Sequence, residues 1–231
     1  MKSVVSYPVR GEFGDKRYRG NCSGFLVKDL LEHFKPSFVF DPMEGSGTTG
    51  DVCKEMGIRY MGMDIRNGFN LLEDDLPSER PDFIFFHPPY WNIIPYTQKE
   101  GDISNIGTYP EFMRQVEACI KRLVGILADG GTLCILIGDK RHEGKYYPMA
   151  ADLVHKLKWN GEVFLKSIVI KAQHNTASER IDYKGNFIPI QHEYCLVLKK
   201  RKYPAQQKLQ PLEKWENKSQ EAAPIDSPKL E

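Results

Sequence analysis

The sequence predicts an α/β protein built on a mostly parallel sheet. Three observations predict it. An apolar run, Phe38-Val39-Phe40, enters a glycine turn, Asp41-Pro42-Met43-Glu44-Gly45-Ser46-Gly47, and leaves it as a helical stretch from Thr48 to Met56. A second apolar run, Phe83-Ile84-Phe85-Phe86, stops at His87-Pro88-Pro89-Tyr90. Around both, strand-like runs alternate with helical patterns, as in strands joined by crossover helices. With 231 residues, the chain is long enough for one well-buried domain.

The elements follow in order. Residues 1–20 mix glycine, proline and charge and read as an arm, with Arg10, Lys16, Arg17 and Arg19 placed to touch phosphate. A solvated terminus is the alternative. Asn21-Cys22-Ser23-Gly24 leads into a helix whose apolar face is Leu26, Val27, Leu30, Leu31 and Phe34, with Ser23 at its N-cap. The first strand of the core runs from about Ser37 to Asp41. Gly45 and Gly47 lack a Cβ, so the backbone can turn tightly and lie close to a ligand. The next helix, ending at Gly57, offers free N–H groups and partial positive charge at its first turn, near Ser46 and Thr48. Asp41 can bind a ligand amine. Together these features suit a zwitterion. The turn is neither a dinucleotide fingerprint nor a Walker A loop, since it lacks the third glycine of one and the Gly-Lys-Ser/Thr of the other.

The second strand, Arg59 to Asp64, ends in an acidic residue about 20 positions past the turn, where ribose hydroxyls are bound. The strand Asp82 to Phe86 runs into two prolines, which stiffen the chain at the edge where open α/β sheets hold ligands. Pro88 and Pro89 keep their carbonyls, and Tyr90 adds an aromatic face. This is a device for a flat base bearing an amine. Residues 91–108 form a long polar loop suited to a lid, with Trp91 either a pocket wall or part of the core. A helix from Tyr109 to about Leu127 shows Phe112, Val116, Ile120, Leu123 and Leu127 on one face. Strand Thr132 to Ile137 ends in Gly138-Asp139, where Asp139 either lines a base pocket or caps the loop to Tyr146. Helix Met149 to Trp159 and strand Glu162 to Lys171 follow. Residues 172–191 are irregular and carry Arg180, Tyr183 and Lys184. Strand His192 to Leu198 precedes a basic run, Lys199-Lys200-Arg201-Lys202. The boundaries read as an arm over 1–20, a domain over 21–203 and a disordered tail over 204–231.

Composition narrows the class. The net charge is +1, with 41% hydrophobic and 27% charged residues, so a nucleic-acid partner requires a local basic patch. The five cysteines are scattered without metal-ligand spacing and read as reduced thiols of a cytoplasmic protein. No apolar run reaches transmembrane length.

Asp41-Pro42-x-x-Gly45-Ser46-Gly47-Thr48-Thr49 is similar to the cofactor motif of the DNA amino-methyltransferases, and His87-Pro88-Pro89-Tyr90 resembles their catalytic [D/N/S]PPY tetrapeptide. The two lie in this order about 45 residues apart. The resemblance spans roughly residues 18 to 200 and departs at Met43, usually Phe, and at His87. It implies a Rossmann-like methyltransferase fold with a seven-stranded sheet. It implies S-adenosylmethionine as cofactor, held by Asn21, Ser23, Asp41, Gly45, Ser46, Gly47, Thr48, Asp64 and Ile65. Asn67 to Leu72 is similar to the family's third motif, which puts Asn70 at the adenine edge. The implied reaction moves a methyl group to N6 of adenine or N4 of cytosine on a flipped-out base, with His87, Pro88, Pro89 and Tyr90 catalytic. The implied partner is DNA, touched by Arg17, Arg19, Trp91, Arg180 and Lys184. The recognition segments are short, which calls for a short target, a homodimer or a separate specificity subunit. An RNA base methyltransferase and a non-catalytic methyltransferase-like subunit are the alternatives.

His87 is the informative departure. A neutral imidazole accepts a hydrogen bond through one nitrogen, and an imidazolium accepts none. Activity is therefore expected to fall as pH drops through the His87 pKa, ~6.5 for an unperturbed group.

Overall fold

Strands buried on both faces set the architecture, described here from a computed structural model for residues 1–157, 161–174 and 187–202. In chain order the elements are β1 (Val4–Ser6), α1 (Gly24–Phe34), β2 (Phe38–Asp41), α2 (Thr48–Met56), β3 (Arg59–Gly62), β4 (Phe83–Phe86), α3 (Tyr109–Ile126), β5 (Thr132–Gly138), β6 (Lys140–His142), β7 (Lys145–Tyr147), α4 (Met149–Lys156), β8 (Val163–Ala172) and β9 (His192–Lys200). Every residue of β2, β4 and β5 is buried. Such strands need apolar side chains on both faces, hence the unbroken runs in the sequence.

Seven strands form one sheet in the order β1-β8-β9-β5-β4-β2-β3, and β6 and β7 form a separate hairpin. Only β9 runs antiparallel to its neighbours in the large sheet; the other pairings are parallel. One face carries α3 and α4, whose Phe112, Val116, Ile120 and Leu153 pack with Phe40, Ile84, Phe86, Ile135 and Ile137. The other carries α1 and α2, whose Leu26, Val27, Leu30 and Val52 pack with Val39, Phe83, Phe85, Cys134 and Leu136. Odd and even strand positions thus divide between two cores. All five cysteines are free and buried. Among the described residues, no helix is long and apolar enough to cross a membrane.

The predicted α/β class holds, as do six strands read from the sequence. The seventh is β1, inside the stretch read as an arm: it pairs in parallel with β8, Val4 to Ser6 against Ile170 to Ala172, and buries Val5. The β6–β7 hairpin was not expected. Lys199 and Lys200 of the basic run lie in β9, where Lys199 Nζ donates to Thr132 Oγ1 at 3.0 Å and Lys200 Nζ to the Val124 carbonyl at 2.6 Å. The expected tail, 204–231, lies outside the described residues.

Asp82 ties the two central strands together at their start. Its carboxylate accepts from the Ser37 and Phe38 N–H groups and from Ser37 Oγ, at 2.7 to 3.2 Å. Burial alone raises its pKa, but these bonds prevail and lower it from the usual value of 3.8. Asp82→Ala is expected to lower the unfolding free energy by ~1–3 kcal/mol. Because the folded-state pKa is the lower one, the stabilisation is present above about pH 3.8 and fades as pH falls through the folded value. Urea unfolding of both proteins at neutral pH and near pH 3 checks this; a gap that stays constant with pH contradicts it.

Candidate active site

The C-terminal ends of β2, β3, β4 and β5 share one edge of the sheet. There, a cavity of about 830 Å³, its open mouth included, lies beneath the glycine turn. Of the residues predicted to hold a cofactor, Asn21, Asp41, Gly45, Ser46, Thr48, Asp64, Ile65 and Asn70 line it. Gly47 does not: it takes φ +83° at the N-cap of α2, and a Cβ there would meet nothing within 4 Å. Its glycine is required by backbone conformation alone. Ser23 also lies outside this cavity. It holds the N-cap position of α1 without a side-chain capping bond, and its buried hydroxyl has no hydrogen-bond partner among the described residues.

The acidic residues are already built into the fold. Asp41 Oδ1 accepts from the Met43 N–H at 3.1 Å, and Oδ2 from Thr49 Oγ1 at 2.6 Å. Asp64 Oδ2 accepts from the Gly45 N–H at 2.9 Å, and Oδ1 from both the backbone N–H and Nε of Arg66. Asn70 Oδ1 accepts from the Leu72 N–H at 3.0 Å. Asp41, Glu44, Asp64 and Asp102 all line the cavity, and among the described residues no lysine or arginine does. Burial raises the pKa of Asp41 to about 7, against the opposing bonds from Thr49 and Met43, and Glu44 and Asp64 add to the rise. An enclosed space with this acid excess fits a ligand that brings positive charge. The ammonium and sulfonium of S-adenosylmethionine meet that requirement.

The predicted lid lies over this cavity. Tyr96, Gly101, Asp102 and Ile103 line it, and Lys99 Nζ donates to the Ile65 and Arg66 carbonyls at 3.0 and 2.6 Å. Tyr18 stacks on Tyr96 at 5.6 Å between ring centroids, and the Arg66 guanidinium lies 4.5 Å from the Tyr18 centroid.

A wider cleft of about 2290 Å³ adjoins. Its lining is basic: Arg10, Lys140, Arg141, Lys171, His174 and His192, beside Asp139 and Glu193. The two spaces share Gly20, Asn21, His87 and Tyr96. Pro89 lines the first and Tyr90 the second, whereas Pro88 is buried and lines neither. His87 Nε2 lies 3.0 Å from Tyr90 Oη, which donates to Glu193 Oε1 at 2.8 Å. Tyr90 crosses the end of β5 because Gly138 leaves room: a Cβ there would lie 2.7 Å from the ring. Asp139 accepts from Tyr146 Oη at 2.6 Å, as expected of a residue capping that loop, and also lines the cleft.

Several expectations need correction. His87 does not titrate near 6.5: its burial in the wall lowers the pKa to about 4, with Glu193 opposing and Lys171 assisting. Trp91 is buried, lines neither space and donates from Nε1 to the Ile106 carbonyl at 3.0 Å. Its φ of +50° accompanies a ring packed among Tyr109, His142 and Tyr147. Arg17 and Arg19 line neither space but are exposed at the surface, which leaves their expected contact with phosphate standing. The chain before them folds onto the glycine turn, with the Asp15 N–H donating to the Ser46 carbonyl and the Gly14 N–H to Asp51 Oδ2, and Arg17 is held by Asp15. Arg180 and Lys184 lie outside the described residues. The sequence alone did not single out Lys140 and Arg141 on the hairpin or Lys171 at the end of β8, whereas the His192-Glu193-Tyr194 opening of β9 was legible as a brace for the loop after β4. The signal for Glu193 was the polar His192-Glu193-Tyr194 opening of an otherwise apolar strand.

Comparison with known proteins adds a family. The N6/N4 methylase model, described as DNA methylase, matches residues 82–229. The chain is 32% identical over 93 residues to the type II methyltransferase M.MjaVI of Methanocaldococcus jannaschii, a match covering 38% of this chain. It spans about half the length of that relative, 46%. Among solved structures, TrmN from Thermus thermophilus is similar at 15% identity and TM-score 0.43, covering 79% of this chain and 50% of the other. An rRNA methylase from Streptococcus thermophilus is similar at 16% identity and TM-score 0.41, covering 77% of this chain and 96% of the other. At these scores the two likenesses decide nothing about substrate.

Asp41 leads to a binding prediction. A cationic ligand favours its ionised form, so binding releases a proton wherever the free site is protonated. Affinity for S-adenosylmethionine is expected to weaken as pH falls below about 7, by up to about tenfold per pH unit. Titration calorimetry at about pH 6 and pH 8, in buffers of different ionisation enthalpy, reads both effects, and Asp41→Asn removes them. Equal affinity at the two pH values contradicts the assignment.

Proposed function

The chain belongs to the N6/N4 DNA methylase family, and from that premise we propose that it methylates an exocyclic base amine of DNA, N6 of adenine or N4 of cytosine. The observation that carries this reading is that an acid-lined cavity and a base-lined cleft meet at the His87 side chain. The first suits a cationic cofactor and the second a polyanion. When bound, S-adenosylmethionine supplies a methyl group on a sulfonium and leaves as the thioether.

The chain's own residues orient and prepare the amine. Its nitrogen is a poor nucleophile because the lone pair is conjugated with the ring. A hydrogen bond from one amine hydrogen to neutral His87 draws the nitrogen toward tetrahedral geometry. With a pKa of about 4, His87 is an acceptor in this step and not the proton's final home, which is solvent. The Pro88 carbonyl was the other candidate acceptor, but Pro88 lines neither space, so His87 takes the role in this reading. Tyr90 supplies the aromatic face for the base. Orientation and fixed dipoles then provide most of the rate. A duplex base must leave the stack to reach His87. Lys140 and Arg141, on the hairpin beside the cleft, are placed to meet phosphate. Target recognition draws on a second copy or a specificity subunit, because the protein segments around the cleft are short.

Purified protein with labelled S-adenosylmethionine is expected to methylate mixed-sequence DNA, and nucleoside digestion with mass spectrometry to show N6-methyladenine or N4-methylcytosine. Label in RNA alone, run in parallel, overturns DNA as substrate. Label in neither overturns the enzymatic reading for the isolated chain. His87 is expected to leave the rate flat above about pH 5 and to impose a loss only as pH falls through about 4. A limb near 6.5 that disappears in His87→Asn contradicts the half-buried, neutral histidine.

A further inference from the structure

We propose that Glu193, braced by Lys171, selects the tautomer of His87 through the Tyr90 hydroxyl and leaves Nδ1 as the imidazole's acceptor. The proposal rests on the methyltransferase reading for its catalytic meaning, but its geometry stands independently. Glu193 and Lys171 are cross-strand partners in the β8–β9 register. Glu193 is 6% exposed, its Oε2 receives Lys171 Nζ, and its Oε1 receives the Tyr90 hydroxyl at 2.8 Å.

The assignment follows from counting hydrogens. Burial alone raises the pKa of Glu193, but Lys171 beside it, aided by the Tyr90 hydrogen bond, brings it below its ordinary value. Its carboxylate is therefore ionised and only accepts. A phenol has one hydrogen, and that of Tyr90 goes to Glu193. Burial and the neighbouring Glu193 keep the phenol from ionising. His87 Nε2, 3.0 Å from the same oxygen, can bond to it only by donating. A neutral imidazole has one N–H, so placing it on Nε2 leaves the lone pair on Nδ1. Gly138 keeps the arrangement in place, since it pairs with Glu193 across β5 and β9 and leaves space for the Tyr90 ring. Three strands thus hold one phenol, and the phenol sets one proton. Glu193 and Lys171 are positioning residues: they act on His87 through Tyr90.

The test is nitrogen NMR of the full chain labelled with ¹⁵N-histidine, with His87→Gln used to assign the signal. At neutral pH the wild-type protein is expected to show a pyrrole-like Nε2 and a pyridine-like Nδ1 at His87. Glu193→Ala frees the phenol hydrogen to point at Nε2, so the population is expected to move to the Nδ1–H form. In the same variant kcat for methyl transfer is expected to fall about 10- to 100-fold, with KM for S-adenosylmethionine within about threefold. Glu193→Gln keeps an acceptor oxygen for Tyr90 and is expected to retain the wild-type tautomer with a smaller loss of kcat than Ala. A wild-type His87 protonated on Nδ1 overturns the proposal, even if the Ala variant does not fold. So does a loss of kcat in Glu193→Ala without a change of tautomer, or a change of tautomer without a loss of kcat. Absence of methyl transfer by the wild type overturns the functional reading instead, while the spectrum still decides the relay.

Discussion

The parallel pairing of β2 with β4 is the constraint on which the rest depends. Val39 lies opposite Phe83 and Phe40 opposite Ile84, with each residue buried between neighbouring strands and helical layers. A slip of one residue would exchange the two cores' side chains, so the register is firmly held. From β2 the chain leaves through α2 toward β3, and from β4 through α3 toward β5, on opposite faces of the sheet. The crevice between diverging connections is where open α/β sheets place ligands. It is why a glycine turn and a double proline, distant in sequence, flank one cavity.

Electrostatics then divides that edge. The cofactor side has buried carboxylates, and most of their hydrogen-bonding capacity is committed to the turn itself. Asp41 holds Met43 and Thr49, and Asp64 holds Gly45 and Arg66. The same groups that shape the loop give the cavity its charge, so shape and ligand preference are one property. The cleft side draws its cations from separate elements: Arg10 after β1, Lys140 and Arg141 on the hairpin, Lys171 on β8. The near-neutral overall charge conceals both. The acid-lined cavity and the basic cleft thus lie side by side, with His87 in the lining of both.

What the sequence disclosed is local in kind. Apolar runs ending at glycine or proline mark strand ends, and Asp41, Asp64 and His87 were legible because each stands at such an end. What it concealed depends on distant partners. Three residues of β1 carry no strand pattern worth reading, and their place is set by β8, far along the chain. Nothing nearby in sequence reveals that the arm is anchored, with Gly14 and Asp15 hydrogen-bonded to Asp51 and Ser46. Trp91 directly follows His87-Pro88-Pro89-Tyr90, yet its left-handed backbone and a bond to Ile106 commit its ring to the core. The titration of His87 was misjudged for the same reason: loss of water, supplied by the fold, outweighs the nearby negative charge of Glu193.

The departure at residue 87 also makes physical sense beside Glu193. A carboxylate at 87 would face a second, buried carboxylate through the single hydrogen of Tyr90. Two negative charges so close in a dry wall oppose each other's ionisation, and one proton would have to be retained. An imidazole avoids this conflict. In the proposed tautomer it donates to the Tyr90 oxygen through Nε2 and keeps Nδ1 as an acceptor, adding no charge to a wall that already holds Glu193 and Lys171. Position 87 and position 193 are therefore electrostatically linked choices: with an ionised glutamate bracing the tyrosine, an acceptor at 87 is best left neutral. Histidine, buried enough to stay unprotonated, meets that condition without giving up the hydrogen bond that fixes its ring.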